Sequence, residues 1–409
     1  MMKKTICIVT GSRAEYGLLR PVIFRLAAIR SFVVKIVATG MHLSADFGCT
    51  YKEIEADGVP IDATIDILRY NGSAKTNNNL DTINTINTTN TTSKAIGIGI
   101  IGFAEYFAKT QPDLVVVLGD RFEIFAAATA AAVACIPIAH LHGGETTEGS
   151  LDEFFRHAIS KMSYLHFTSA EPYRQRVINM GEAPDRVFNV GATGVENILR
   201  MSLMTKDELA RSIDYDLNRP YALVTFHPAT LEKDTALKQM EILLSAFDET
   251  DGLNYIFTKA NADQYGREIN HKLEAYCESK ANSICFASLG VRRYLSAMKY
   301  CEMVIGNSSS GIIETPSFKK PTINIGDRQK GRICARSVLS CQPEKHAILH
   351  CINKARSGQF LREIADQENP YGDGKTSEKI ATVIQDFLDN NKINLKKSFY
   401  DVKRQDHVQ

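Results

Sequence analysis

Short apolar runs alternate with longer amphipathic stretches along almost the whole chain. In the first half the runs cover residues 5–10, 32–39, 113–119, 136–142, 165–169 and 187–191. In the second half they cover 221–227, 254–259, 284–288, 303–307 and 321–326. Most are continuously apolar, the mark of strands covered on both faces by helices, as in parallel sheets. Helical spacing fills 122–135, 264–277 and 291–301 between them. This alternation predicts an α/β protein with parallel sheets. Two series of strands predict two Rossmann-like domains, with an eight-stranded barrel as the alternative. The seam is expected within 191–218, where a polar helical stretch and Asn218-Arg219-Pro220 interrupt the strand spacing. The expected division is therefore 1–195 and 196–375. Thr376-Ser377-Glu378 opens an amphipathic helix to about 390, and segment 376–409 is expected to cross back to the N-terminal domain.

Two segments need separate treatment. Residues 77–92 are nearly all Asn and Thr, with Leu80, Ile83 and Ile86 at a spacing of three. They read as a solvated loop, or as a helix start feeding the pattern 95–109. Gly97-Ile98-Gly99-Ile100-Ile101-Gly102 matches the dinucleotide fingerprint, but no strand directly precedes it, and the fingerprint requires one. These glycines are expected to pack a helix, and no NAD or other cofactor is expected.

Composition narrows the partners. The 409 residues carry 48 Lys+Arg against 47 Asp+Glu, a net charge of +1, and 44% are hydrophobic. That is ordinary globular composition, and near-neutrality argues against nucleic acid or an anionic membrane as a bulk-charge partner. A small anion held by a few local cations remains compatible. No apolar run approaches the ~18 residues of a membrane span, and the first ten residues read as a buried strand rather than a signal segment. Nine scattered cysteines without a Cys-x-x-Cys pair suit reduced thiols in a cytoplasm.

Polar chemistry gathers where strands end. The first run closes on Gly11-Ser12-Arg13-Ala14-Glu15-Tyr16-Gly17 and then a helix. Such a turn offers backbone N–H groups to an anion, with Arg13 adding a cation, or it is a plain strand–helix connection. Asn307-Ser308-Ser309-Ser310-Gly311-Ile312-Ile313-Glu314 repeats this logic. Its small residues suit phosphate and Glu314 suits ribose hydroxyls; a Ser cap run before a helical Glu is the plainer reading. Between them lie Gly119-Asp120-Arg121-Phe122-Glu123 and His140-Leu141-His142-Gly143-Gly144-Glu145, then a loop with Gly149, Asp152-Glu153 and Arg156-His157. Alternation along a strand places His140 and His142 on one side, and Asp152 and Arg156 share a helical face. Together they predict an acid–base centre. The His-x-His pair lacks a third ligand at metal spacing, so no metal is expected. His227, in Thr225-Phe226-His227-Pro228, ends the first strand of the second series.

In order along the chain, these blocks and Asn324-Ile325-Gly326-Asp327-Arg328-Gln329-Lys330-Gly331-Arg332 resemble the hydrolysing UDP-N-acetylglucosamine 2-epimerases of sialic-acid-type sugar synthesis. The resemblance covers nearly the whole chain. It implies the two-domain fold shared with many glycosyltransferases, a nucleotide sugar in the cleft, a cytoplasmic homodimer or homotetramer, and no cofactor. It implies that Arg13, Ser308, Ser309, Ser310, Gly311 and Glu314 bind the nucleotide diphosphate, with His227, Asn307 and Arg328 nearby. Asp120, His142, Glu145 and Asp152 would then act on the sugar, supported by Arg121, His140 and Arg156. Some members carry an acidic residue, implicated in proton transfer, where this chain has His142. Here His142 or Glu145 would take that role. The same reaction on a UDP- or GDP-linked 2,4-diacetamido-6-deoxy sugar, or a non-hydrolysing epimerisation, are the alternatives.

Overall fold

The computed structural model describes residues 3–68, 88–148, 150–228, 235–260 and 266–402. Gly149, Leu80, Ile83 and Ile86 lie outside the described residues, as do the first two positions of the helix expected at 264–277. The chain divides into two compact units. One comprises Met1–Glu145, Phe154–Gly191 and Lys375–Gln409; the other comprises Thr146–Glu153 and Ala192–Gly374.

The first unit is built on β1 (Lys4–Thr10), β2 (Phe32–Thr39), β3 (Ala63–Ile65), β4 (Leu114–Leu118), β5 (Ile138–Leu141), β6 (Leu165–Thr168) and β7 (Val187–Asn189). They form one sheet in the order β3-β2-β1-β4-β5-β6-β7, parallel at every pairing. The second unit holds β8 (Tyr221–Thr225), β9 (Asn254–Thr258), β10 (Ser283–Phe286), β11 (Met303–Gly306), β12 (Thr322–Ile325) and β13 (Val338–Cys341). Their order is β10-β9-β8-β11-β12-β13, again all parallel. Both sheets are Rossmann-like, as the apolar runs predict, and the barrel alternative falls. The expected strands are present. The edge strands β3 and β13 are additions, too short and too mixed in polarity to show as runs.

In each sheet the strand order reverses beside the first strand: between β1 and β4, and between β8 and β11. Doubly wound sheets bind ligands at the carboxyl ends of the strands at such a reversal. The loops after Thr10 and Leu118, and those after Thr225 and Gly306, therefore carry the positions of chemical interest.

The first unit's core joins Ile6, Ile8, Leu19, Val22, Ile23 and Leu26 to Ile380, Ala381, Ile384 and Leu388. The helix Thr376–Asp389 thus packs on the helix Arg13–Ala27, so the chain's last helix belongs to its first unit. The fingerprint-like glycines sit inside the helix Thr88–Thr110. A Cβ on Gly99 would stand 2.9 Å from the Ala126 Cβ, and one on Gly102 would stand 2.8 Å from the Ile65 Cγ2. Their smallness lets this helix meet its neighbour and β3; it serves packing. Among the described residues no helix is long and apolar enough to cross a membrane.

Candidate active site

The turn after β1 is held by buried groups. Ser12 caps the helix Arg13–Ala27, its side chain accepting from the Glu15 N–H at 3.4 Å, which leaves Arg13 at the first helical position, half-buried. The His42 ring lies between the Thr10 and Thr50 hydroxyls at 3.0 and 2.9 Å. Burial holds it neutral, with a pKa of about 4, so it serves as a neutral brace. The Gly11 N–H donates to Glu15 Oε2 at 2.8 Å. Glu15 and Glu123 are both buried and both pack close to Gly11. Burial first, and then the Glu123 charge, push the Glu15 carboxyl well above the usual carboxylate range. Arg121 pairs with Glu123 at 3.3 Å.

Beyond β4 and β5 the sequence-predicted acid–base residues come together. Asp120 pairs with the guanidinium of Arg156, which also donates to the His142 carbonyl at 3.0 Å and stands 4.0 Å from Glu145 Oε2. Glu145, only 1% exposed, accepts from the Ser169 hydroxyl at 2.6 Å and faces His142 Nδ1 at 3.1 Å. Carboxylates, an imidazole and an Arg converge at the sheet's ligand-binding edge.

One expectation is corrected here. His140 and His142 do not share a side, because His142 lies past the end of β5 with φ +64°, which breaks the strand alternation. His140 is completely buried; its Nε2 faces the Gly119 carbonyl at 2.7 Å and its Nδ1 the Ser160 hydroxyl at 3.1 Å. Burial pushes its pKa down to about 3. With both ring nitrogens engaged, His140 supports the turn leading to Asp120.

In the second unit, Asn307 joins the ends of β8 and β11. Its side chain accepts from the His227 N–H and donates to the His227 carbonyl, each at 2.7 Å. The Asn307 carbonyl accepts from Arg328 at 2.9 Å and from Gln329 at 2.8 Å. Asn307 therefore braces the ends of β8 and β11, and Arg328 fixes the same loop. Ser308 caps the short helix Ser309–Ile313 through the Ser310 N–H at 3.4 Å, and the Tyr294 hydroxyl meets that of Ser310 at 2.7 Å. Gly311 packs on Thr322, whose hydroxyl donates to its carbonyl at 2.7 Å. Glu314 lies against Gly194.

Asp152 opens the helix Asp152–Met162, and Ser150 donates to its carboxylate at 2.7 Å. The Thr146–Glu153 loop is tied to the 327–332 segment: Thr146 donates to the Lys330 carbonyl at 3.2 Å and accepts from Arg332 at 3.0 Å. The first unit thus gathers Asp120, His142, Glu145 and Arg156. The second gathers His227, Asn307, the serine loop and Arg328, with Asp152 on its own loop. Among the described residues no cluster of three or more His, Cys, Asp or Glu could hold a metal ion. Sequence reasoning missed Ser169 and Tyr294, which stand in unremarkable local sequence and matter through long-range contacts; Gln329 lay within the quoted 324–332 block, but nothing local gave it a role.

The family model for UDP-N-acetylglucosamine 2-epimerase matches residues 25–385. The chain is 39% identical to the polysialic acid biosynthesis protein P7 of Escherichia coli, covering 98% of each. It is 38% identical to a GDP/UDP-N,N'-diacetylbacillosamine 2-epimerase (hydrolyzing) of Campylobacter jejuni, covering 84% of this chain and 85% of that one. In fold it resembles the UDP-GlcNAc 2-epimerase of Neisseria meningitidis, solved bound to UDP-GlcNAc. The TM-score is 0.75 at 17% identity, over 93% of this chain and 99% of that one.

Proposed function

Because the chain belongs to the UDP-N-acetylglucosamine 2-epimerase family, and is a nucleotide-sugar 2-epimerase, we propose that it works hydrolytically. On this reading it converts UDP-N-acetylglucosamine and water to N-acetylmannosamine and UDP, for sialic-acid-type sugar synthesis in the cytoplasm. The observation that carries the chemistry is the cluster of Asp120, Arg156, His142 and Glu145 at the edge of the first sheet.

The C2 hydrogen of the substrate has no neighbouring carbonyl, so direct deprotonation is difficult. Breaking the C1–oxygen bond first gives oxocarbenium character that acidifies C2–H. Arg13, the serine loop Ser308–Gly311 and Glu314 bind the nucleotide diphosphate, whose departure is eased by N–H and hydroxyl donors. A base among Asp120, His142, Glu145 and Asp152 takes the C2 proton and leaves a glycal. Water then adds to C1 while C2 is protonated from the opposite face, giving the manno product. Each positioned proton transfer contributes about 10²–10⁴-fold.

A second substrate reading has one observation in its favour. The Campylobacter relative acts on a diacetamido sugar, as its name states, so a UDP- or GDP-linked 2,4-diacetamido-6-deoxy sugar of the legionaminic-acid type is the alternative substrate. Nine cysteines without a disulfide support a reducing compartment. A homodimer or homotetramer belongs to the same reading, and light scattering after gel filtration measures it. Incubation with each nucleotide sugar, following released nucleotide and free sugar by NMR, tests substrate and reaction together. Return of the epimer still linked to nucleotide would replace hydrolysis by simple epimerisation.

A further inference from the structure

Building on the elimination reading, we infer that His142 and Glu145 form a dyad in which His142 Nε2 takes the C2 proton and Glu145 fixes the ring without reacting. The chain leaves β5 through His142 at φ +64°, a left-handed conformation that costs free energy in a residue with a side chain. The turn has little room to relax. A Cβ on Gly143 would stand 2.9 Å from the Ser160 Oγ and 3.0 Å from the His140 Nδ1, and one on Gly144 would collide with the Tyr173 carbonyl. This geometry brings Nδ1 of His142 to 3.1 Å from Glu145 Oε1.

A carboxylate only accepts, so Nδ1 carries the ring proton and the Nε2 lone pair points away from Glu145. His142 is 6% exposed, and its Nε2 is buried without a hydrogen-bond partner among the described residues. A buried ring nitrogen left unbonded in this way is an acceptor open to a ligand. Glu145 is committed elsewhere. It accepts from Ser169 at 2.6 Å, and its second oxygen stands 4.0 Å from Arg156.

In the reaction, the C1–oxygen pair departs with the diphosphate. The C2–H pair becomes the C1=C2 bond of the glycal, and the proton forms the Nε2–H bond. The resulting imidazolium is stabilised by Glu145 and returns its proton to water when the site resets. Glu145 is thus a positioning residue that sets the tautomer and stabilises the charged ring.

The test uses full-length protein with ¹⁵N-labelled histidine, with the His142 signals assigned by their loss in His142→Gln. The dyad predicts an Nδ1–H ring with a bare Nε2 in the wild type, and a move toward Nε2–H in Glu145→Ala. In D₂O, deuterium entry at C2 and nucleotide release should both fall about 10²–10⁴-fold in His142→Gln and Glu145→Ala. Glu145→Gln keeps the side-chain shape and controls for folding. A wild-type ring protonated on Nε2, or wild-type turnover in His142→Gln or in Glu145→Gln, overturns the dyad and leaves the 2-epimerase reading standing. A wild type that releases no nucleotide from any of these sugars overturns the hydrolytic reading instead, and the ring signal then decides the dyad alone.

Discussion

Glu182 is the hub of a buried charge cluster that fastens the chain's end to its first unit. Its carboxylate, 1% exposed, accepts from Lys161 at 2.6 Å, from Lys397 at 3.0 Å and from His166 at 3.2 Å, with Arg186 at 3.8 Å. Lys397 also donates to the Lys161 and Ser163 carbonyls at 2.7 and 2.8 Å, and Tyr400 N–H donates to the Gly181 carbonyl at 2.9 Å. Burial alone would raise the Glu182 pKa, but the hydrogen bonds from His166, Lys161 and Lys397 bring it from 4.5 down to about 2. Holding it at about 2 rather than 4.5 stabilises the fold by about 3 kcal/mol at neutral pH. Because the folded value is depressed, this contribution is present above about 4.5 and is lost as pH falls toward about 2. Glu182→Gln should therefore cost about 3 kcal/mol at pH 7 in urea unfolding followed by circular dichroism. Its deficit against the wild type should shrink by about 2 kcal/mol at pH 3, because only the wild type loses the contribution. An equal deficit at pH 7 and pH 3 would refute the reasoning.

Three further outcomes are expected. Asp120→Asn removes the carboxylate that pairs with Arg156 and should lower kcat by about 10²–10⁴; unchanged turnover removes Asp120 from the mechanism. Glu15, whose folded pKa is raised, costs stability increasingly as pH climbs above its unfolded value. Glu15→Gln should be at least as stable as wild type at pH 8 and should lose that decline with rising pH, as thermal melts across pH 4–8 will show. Ile384, fully buried between the last helix and the first, should cost about 2–5 kcal/mol as alanine. A loss below about 1 kcal/mol in the same unfolding assay would mean that this helix is not docked.

Strands in the middle of each sheet were legible because they are covered on both faces, so the run 114–118 is apolar at every position. The edge strands β3 and β13 carry no such run, since an edge strand shares only one ladder and tolerates polar residues. Gly99 and Gly102 show how spacing misleads without context: the fingerprint pattern arises from one close contact with a neighbouring helix and one with β3. Strand ends pointed to loops where polar side chains gather, but not to what each side chain does there. His140 and His142 were indistinguishable by alternation, and only the positive φ at His142 separates a buried brace from a ring with an open nitrogen. That Thr146–Glu153 joins the second unit rests on Lys330 and Arg332, far away in sequence. Glu182 had no local signature beyond Arg186 four residues on, because Lys161, His166 and Lys397 come from elsewhere in the chain.

The central claim is elimination at C2 with loss of the nucleotide. The most direct measurement incubates the full chain with UDP-N-acetylglucosamine, and in parallel with UDP- and GDP-linked 2,4-diacetamido-6-deoxy sugars, in D₂O. Proton and phosphorus NMR then follow each reaction. The account predicts free nucleoside diphosphate in step with a free C2-epimeric sugar that carries deuterium at C2. Product with protium retained at C2, or an epimer still joined to its nucleotide, would contradict it.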